Sequence, residues 1–156
     1  MPHVHSITIQ PIKHDYDDHF GTFIRHPMQE ANLILGFGIE GDAKGGHHPN
    51  RQINLLSQEW VEEKAAQGYT ASPGSFGEQL ALKGIDLADL GPNTHLRLGE
   101  EAVIEITSSR TGCERLDAAQ PKPMDEKFVG FMARVVESGK VRVGDPVKVL
   151  ERVLSE

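Results

Sequence analysis

The sequence predicts a mostly β fold with helices packed on it, and three observations lead to this prediction. Short apolar or alternating segments bounded by glycine, proline and polar turns recur through the chain, as is typical of strands. Few segments have the spacing expected of a helix. The strands do not alternate regularly with helices, so a doubly wound parallel sheet is not expected. We therefore predict a β barrel or sandwich that forms a single domain over residues 1–156.

The predicted strands are short and spread over the whole chain. Two of them alternate around Gly99 and are predicted to form a hairpin, at residues 94–98 and 102–107. The others are predicted at residues 4–10, 32–37, 53–56, 78–82, 141–143 and 147–150. Residues 11–29 have no clear period and are predicted to be irregular, and residues 108–117 are predicted to be a loop with one helical turn.

Two helices are predicted. The first follows Ser57, a suitable N-cap residue, has Glu59 in its first turn, and ends near Gln67 before Gly68. The second is predicted over residues 124–138, before Gly139, because five apolar side chains have helical spacing: Phe128, Phe131, Met132, Val135 and Val136. One further helical turn is predicted at residues 85–90.

Charge and composition exclude several classes of function. The net charge of −7 and the lack of a dense basic run argue against a general nucleic-acid binder. No window of about twenty apolar residues is present, so no membrane span is expected. The first ten residues do not resemble a signal peptide, and a single cysteine cannot form an internal disulfide. These features favour a reducing, cytoplasmic location.

Cys113 is the first candidate for chemistry. It lies in the segment SRTGCER, where Arg110 and Arg115 supply cations that favour the reactive thiolate. Gly112 allows the backbone to approach a ligand closely. The alternative is that Cys113 is a buried small hydrophobic residue, as free cysteines often are.

The second candidate is the glycine-rich segment 38–52. Glycine N–H groups together with cations can form an anion nest, which suits phosphate or a similar oxyanion. The segment offers the N–H groups of Gly41, Gly45 and Gly46 and the side chains of Lys44, His47, His48 and Arg51. The segment does not match the P-loop pattern. The alternative is a solvated loop without a ligand.

Other sites have weaker support in the sequence. His3 and His5 lie two apart on a predicted strand, but no H-E-x-x-H motif accompanies them, so a zinc site has little support. A nucleophilic serine is not expected, because the G-x-S-x-G motif is absent and Ser75 lies in a turn. Glu78 is predicted to be a surface or capping carboxylate unless a partner makes it a general base.

The order of these segments resembles the MOSC domain family, named after the C-terminal domain of molybdenum-cofactor sulfurases. The resemblance rests on GIEGDAKGG, HPNRQINLL, SPGSFGEQLALKG and SRTGCERLD, which span residues 38–117 in family order. The short chain is similar to the stand-alone bacterial members. The resemblance implies a β-rich fold related to the barrel-like domain of pyruvate kinase. It also implies a role with the molybdenum cofactor or with activated sulfur.

The resemblance also implies roles for individual residues. Cys113 takes the position of the family cysteine, Gly41 and Asp42 that of the glycine-aspartate motif, and Arg51 that of the basic loop residue. The family's G-x-F-G-E-N-L motif matches Gly74, Phe76, Gly77, Glu78 and Leu80. Three residues depart from the family pattern. Gln79 stands in place of Asn, Gly112 in place of Pro, and Lys44 near a position that is often His.

The function implied by the resemblance is binding of molybdopterin, with Cys113 as a metal ligand or as a persulfide carrier. The pterin phosphate would bind at residues 41–46 with Lys44 and Arg51, Arg110 would stabilise the anion, and Gly77 and Glu78 would border the site. A molybdoenzyme or a cysteine desulfurase would be the protein partner. Cys113 is expected to face the same pocket as the 41–51 loop.

Two alternatives remain at this stage, and one cofactor is not expected. The first alternative is a part in molybdenum-dependent reduction of N-hydroxylated bases, so sulfurtransferase-type or molybdenum-dependent turnover stays open. The second is a small-anion-binding module without catalysis. Pyridoxal phosphate, which is attached to the family because full-length sulfurases carry it, is expected to belong to their other domain.

Overall fold

The computed structural model describes residues 1–10, 25–112, 116–117 and 120–152. The elements whose bounds lie within these residues are eleven strands, one α-helix and a 3-10 turn at Leu87–Asp89. The helix is α1 (Gln58–Ala66), and the strands are β1 (His3–Ile9), β2 (His26–Met28), β3 (Glu30–Ile34), β4 (Gly38–Ile39), β5 (Ile53–Ser57), β6 (Leu80–Lys83), β7 (Thr94–Leu98), β8 (Ala102–Thr111), β9 (Phe128–Glu137), β10 (Gly139–Arg142) and β11 (Val147–Arg152).

The strands form a large open sheet and a small one. The large sheet has eight strands in the order β11-β7-β8-β9-β5-β6-β1-β2, and the small sheet has the order β10-β3-β4. The pair β5–β6 is parallel, with α1 in the connection, and the other paired strands are antiparallel. The prediction of a mostly β fold is confirmed. No helix within the described ranges is long and apolar enough to cross a bilayer.

Two apolar clusters hold the sheets and the helix together. The larger one lies between the sheets and includes Val4, Leu33, Leu55 and Ile104, each of them fully buried. The smaller one lies under α1 and joins Leu56, Val61, Tyr69, Phe76, Leu116 and Val129. In it the ring centroids of Trp60 and Phe76 are 5.0 Å apart in an edge-on arrangement. This cluster brings the 72–79 loop next to β8 and β9, where the candidate site forms.

The first predicted helix is confirmed. Ser57 occupies the N-cap position, but its hydroxyl makes no capping bond and donates instead to the Ile85 carbonyl at 3.4 Å. Gly68 has a φ of +96°, the left-handed conformation that commonly follows a helix. The hairpin around Gly99 is also confirmed, as β7 and β8.

The second predicted helix is wrong. Its apolar part is β9, a central strand that pairs with both β5 and β8. The register with β8 shifts at three bulges, which break the two-residue alternation that normally identifies a strand. Because β9 is buried on both faces, its sequence is also a nearly continuous apolar run. The shifted alternation and this run together imitate helical spacing.

Smaller differences occur at two predicted loops. Residues 108–111 belong to β8 rather than to a loop, and Leu116 and Asp117 are helical. His26–Met28 forms β2 against β1, although residues 11–29 were predicted to be irregular. Residues 11–24 of that segment, and Cys113, Glu114 and Arg115, lie outside the described residues.

Gly130 provides a test of the β9 assignment. Its φ is +79°, and an added Cβ would lie 2.5 Å from Leu56 Cδ2 and 2.6 Å from the Leu55 carbonyl oxygen. The left-handed conformation costs a non-glycine residue roughly 1–2 kcal/mol, and overpacking adds roughly 1–3 kcal/mol. Gly130→Ala is therefore expected to lower the free energy of unfolding by about 2–5 kcal/mol in urea denaturation.

Gly144→Ala is the matched control. Gly144 also has a positive φ, +95°, but an added Cβ would meet nothing within 4 Å. Its expected cost is the conformational part alone, about 1–2 kcal/mol. Equal losses in the two variants would show that Gly130 is not packed against β5.

Candidate functional site

Asp42 is the centre of the candidate site. Its carboxylate is buried and accepts hydrogen bonds from the Gln10 N–H at 2.8 Å, the Lys44 N–H at 3.2 Å and Gln79 Nε2 at 3.0 Å. Arg25 Nη1 lies 3.8 Å from Asp42 Oδ1. Asp42 thus joins the end of β1, the glycine-rich loop and the start of β6. Its roles as a hydrogen-bond acceptor and a counter-ion follow from this placement.

Arg25 was not among the residues predicted from the sequence. Its Nη2 donates to the Gly77 carbonyl at 3.1 Å. Its side chain passes so close to Gly74 that an added Cβ there would lie 2.6 Å from Arg25 Cβ. The glycine at position 74, where φ is +86°, therefore makes room for the arginine. No local pattern around Arg25 signals this contact, because it follows a segment without periodicity.

Glu78 is buried and stabilises the 72–79 loop through hydrogen bonds to its backbone. Its carboxylate accepts the N–H groups of Gly74 at 2.8 Å and Phe76 at 3.1 Å. Burial raises the pKa of Glu78, while these N–H groups and the charge of Arg110 act in the opposite direction. The described contacts of its carboxylate are therefore those of a capping group.

The same loop presents two carbonyl groups to the site. The Phe76 carbonyl accepts Arg110 Nη1 at 2.6 Å, and the Gly77 carbonyl accepts Asn54 Nδ2 at 3.0 Å as well as Arg25. Arg110, on β8, is buried with only 7% of its surface exposed. The loop thus fixes two guanidinium groups that come from distant parts of the chain.

Lys44 and Arg51 complete a group of four cations, which we call the cationic cluster: Arg25, Lys44, Arg51 and Arg110. Burial lowers the pKa of Lys44, and the nearby charges of Arg110, Arg51 and Arg25 lower it further, with Asp42 as a partial counterweight. Arg51 is exposed, and its Nε lies 3.1 Å from Met132 Sδ. The cationic cluster is a positive region on a protein of net charge −7.

Five N–H groups of the glycine-rich loop, those of residues 42–46, donate hydrogen bonds to acceptors within the protein. From Asp42 to Gly46 they donate in turn to the Ile39 carbonyl, the Gln10 carbonyl, the Asp42 carboxylate, the Asp42 carbonyl and the Phe37 carbonyl. Gly45 is packed under Phe37, where an added Cβ would clash. The predicted backbone nest stays a prediction, and the side chains of Lys44 and Arg51 are the cationic groups that this loop contributes.

Gln79, which stands where the family usually has Asn, links the two halves of the site. It is fully buried, donates to Asp42, and accepts the Asn54 N–H through Oε1 at 2.7 Å. The longer side chain keeps the amide function that such a bridge requires. Asn54 was not predicted from the sequence, and Gln79 was noted there only as a departure from the family motif.

Cys113 lies outside the described residues, so its predicted place in this pocket stays a prediction. The described chain on its N-terminal side carries Arg110 of the cationic cluster and Gly112, whose N–H donates to the Lys127 carbonyl at 3.1 Å. Among the described residues, no three His, Cys, Asp or Glu side chains come together as metal ligands.

Comparisons with known proteins agree with this architecture. The profile of the MOSC domain matches residues 15–148. No curated protein matches the sequence. The YuaD protein from Bacillus subtilis is similar in structure, with a TM-score of 0.74, 19% identity and 97% of each chain covered.

Two proteins called YiiM are also similar in structure. The one from Geobacillus stearothermophilus has a TM-score of 0.72 and 20% identity, with 97% of this chain and 76% of that chain covered. For the one from Escherichia coli the TM-score is 0.61 and the identity 22%, with 99% and 72% covered. These likenesses concern the fold, whereas the profile match covers most of the chain. The chain therefore belongs to the MOSC domain family.

Proposed function

We propose that this protein binds the phosphate of a molybdenum-pterin cofactor on the cationic cluster and uses Cys113 as a sulfur ligand or sulfur carrier. MOSC domains are associated with molybdenum cofactor binding and with sulfur handling in general. The observation that carries the proposal is the convergence of Arg25 and Arg110 on the adjacent carbonyls of Gly77 and Phe76, with Lys44 near enough for the charges to act on one another. Like charges held this close favour an anion that offsets their repulsion.

The residues present fit an anionic group. Arg110 and Arg25 are held in place by the Phe76 and Gly77 carbonyls, so two guanidinium groups are positioned before a ligand arrives. Arg51 is exposed and would make the first contact with an incoming phosphate. Asp42 limits the excess charge and holds the loop that carries Lys44.

Cys113 would act next to these cations, since it follows Arg110 by three positions. Cations favour the thiolate, which is both the nucleophile and the metal-binding form. The cofactor would supply a redox-active molybdenum, for which a thiolate is a suitable soft ligand. A reducing, cytoplasmic location, which the sequence favours, would keep the thiol available.

The sulfur-carrier form of the proposal needs a donor that bears a persulfide, such as a cysteine desulfurase. The Cys113 thiolate would attack the outer sulfur of that persulfide, forming a new S–S bond. The donor's own S–S bond breaks, and the donor leaves as a thiolate. The cationic cluster would stabilise the negative charge of the persulfide on Cys113.

The experiment that tests the proposal compares Cys113→Ala with the unaltered protein. We expect bound molybdenum, or sulfane sulfur after incubation with a persulfide donor, to fall at least about tenfold. Affinity for inorganic phosphate should stay within about twofold, because the cationic cluster is intact. Unchanged metal and sulfur loading would contradict the role of Cys113 and leave a small-anion-binding module.

Lys44 predicts a pH dependence for anion binding. In the free protein the pKa of Lys44 is lower than its ordinary value of 10.5, whereas a bound anion favours the charged form and raises that pKa. Binding should therefore take up a proton, and phosphate affinity should fall as the pH rises from the lowered pKa towards 10.5. Isothermal titration calorimetry from about pH 8 to about pH 10 would measure this fall.

Lys44→Arg is the matched variant for this test. Arginine keeps its charge throughout this pH range, so the affinity of the variant should be nearly constant. A fall of equal size in both proteins would show that another group controls the pH dependence.

A further inference from the structure

A second cavity lies beside α1, apart from the cationic cluster. It is an open groove of about 760 Å³ between α1, the loop after β6, and the ends of β8 and β9. Ser109 lines the groove, whereas the next residue, Arg110, belongs to the cationic cluster. Phe131 likewise lines it, whereas Met132 contacts Arg51. The groove and the cationic cluster are therefore lined by different residues, although these residues are neighbours along β8 and β9.

The floor of the groove is apolar and rich in aromatic rings. It is lined by Leu56, Trp60, Ile85, Phe128 and Phe131. Phe128 is 54% exposed, which is unusual for a phenylalanine on a central strand. The volume of the groove is in the usual range of small-ligand sites, roughly 300–1,000 Å³. The groove is therefore large enough for a ligand with a flat apolar body.

The rim of the groove is negatively charged. Four carboxylates line it, Glu59, Glu63, Asp86 and Glu126, and none of the described lining residues is a Lys or Arg. Glu59 and Glu63 are four positions apart on α1 and thus lie on one face of the helix. Glu126 is paired with Lys64.

The other three rim carboxylates have no ion-pair partner within 4.0 Å in the part of the chain that the structure describes. Glu59 accepts the Gly84 N–H at 2.8 Å, and Asp86 accepts the Ala88 N–H at 3.1 Å. Both carboxylates are positioned by these hydrogen bonds. The rim therefore carries several negative charges, and the carboxylates of Glu59 and Asp86 are held in place.

We propose that this groove binds an organic cation that has an aromatic or other apolar body, such as a protonated arylalkylamine. Aromatic rings attract cations through their faces, and carboxylates at the rim complement the charge. Lys127 Nζ already lies 5.7 Å from the centroid of the Phe128 ring, so this ring takes part in a cation–π contact. The proposal is independent of the anion proposed for the cationic cluster.

Ligand binding in the groove can be followed through Trp60, because it is the single tryptophan of the protein. We would follow its fluorescence during titration with 4-phenylbutylammonium, 4-phenylbutanol and 4-phenylbutyrate. These probes share one apolar body and differ in charge. The ammonium is expected to bind about tenfold more tightly than the butyrate, with the alcohol in between.

Two variants locate the binding. Glu63→Gln should weaken binding of the ammonium by about threefold or more and leave binding of the alcohol unchanged. Phe128→Ser should weaken binding of all three probes. Glu100→Gln, at an exposed carboxylate in the β7–β8 turn, is the matched control and should change nothing. Phe128 is partly exposed, so its replacement is not expected to unfold the protein.

Three outcomes would overturn the proposal. The first is equal affinity for the three probes, and the second is a Glu63→Gln variant that binds the ammonium as tightly as the unaltered protein. The third is self-association by light scattering that Phe128→Ser abolishes, since the groove would then be an interface between two copies. Tighter ammonium binding that responds to Glu63 supports the proposal.

Discussion

Replacing Asp42 by alanine is expected to lower the free energy of unfolding by about 3–5 kcal/mol. The change removes the acceptor of three hydrogen bonds and the carboxylate that faces Arg25 in a buried position. The stability of a typical domain is only about 5–15 kcal/mol, so the loss would be a large share of the total. Urea denaturation followed by circular dichroism would measure it.

Asp89→Ala is the control for this prediction. Asp89 is exposed in the 3-10 turn, and its removal should change stability by no more than about 0.5 kcal/mol. Asp42→Asn should lie between the two variants, because it keeps the volume but loses the charge. A loss in Asp42→Ala as small as that of Asp89→Ala would mean that the loop does not depend on this carboxylate.

Replacing Arg51 by methionine is expected to weaken phosphate binding about tenfold or more without loss of stability. A hydrogen bond to a charged group contributes roughly 1.5–3 kcal/mol, which corresponds to at least a tenfold change in affinity. Arg51 is exposed, and its described side-chain contact is with the Met132 sulfur, so stability should change by no more than about 0.5 kcal/mol. Calorimetric titration with phosphate and urea denaturation would test the two halves of the prediction.

Arg110→Met provides the contrast. Arg110 is buried and donates to the Phe76 carbonyl, so this variant should lose both phosphate affinity and about 1–3 kcal/mol of stability. Arg110→Lys should recover part of both, because lysine keeps the charge and one donor. Phosphate affinity that is unchanged in Arg51→Met would place the anion away from the cationic cluster.

Position in the fold distinguishes the two arginines. Arg51 is at the exposed end of a loop, and Arg110 is at the buried end of β8 against the 72–79 loop. A ligand that enters from solvent would therefore meet Arg51 first and Arg110 afterwards. This order agrees with the use of fixed, preoriented guanidinium groups for recognition of an oxyanion.

The candidate site was partly predictable from the sequence. The glycine-rich segment, Arg51 and Arg110 stood out because charge and glycine are concentrated within short stretches. Arg25 did not, because it meets Asp42 and Gly77 through contacts between residues far apart in the chain. The acceptors of the loop N–H groups could not be predicted either, since they depend on carbonyls that the fold brings close, such as those of Gln10 and Phe37.

The sequence by itself determined the mostly β class, the helix α1 and the β7–β8 hairpin. These features depend on local patterns, which are the N-cap and glycine at the ends of α1 and the alternation around Gly99. The ordered motifs also determined membership of the MOSC domain family.

Only the tertiary structure decided that residues 128–137 form β9, that Arg25 belongs to the cationic cluster, and that Glu78 caps a loop. It also produced the acidic groove beside α1. Each of these features depends on long-range contacts. The bulged pairing of β8 with β9 breaks the alternation that would have identified the strand, and the charges that meet at Asp42 come from strands and loops that only the folded sheet brings together.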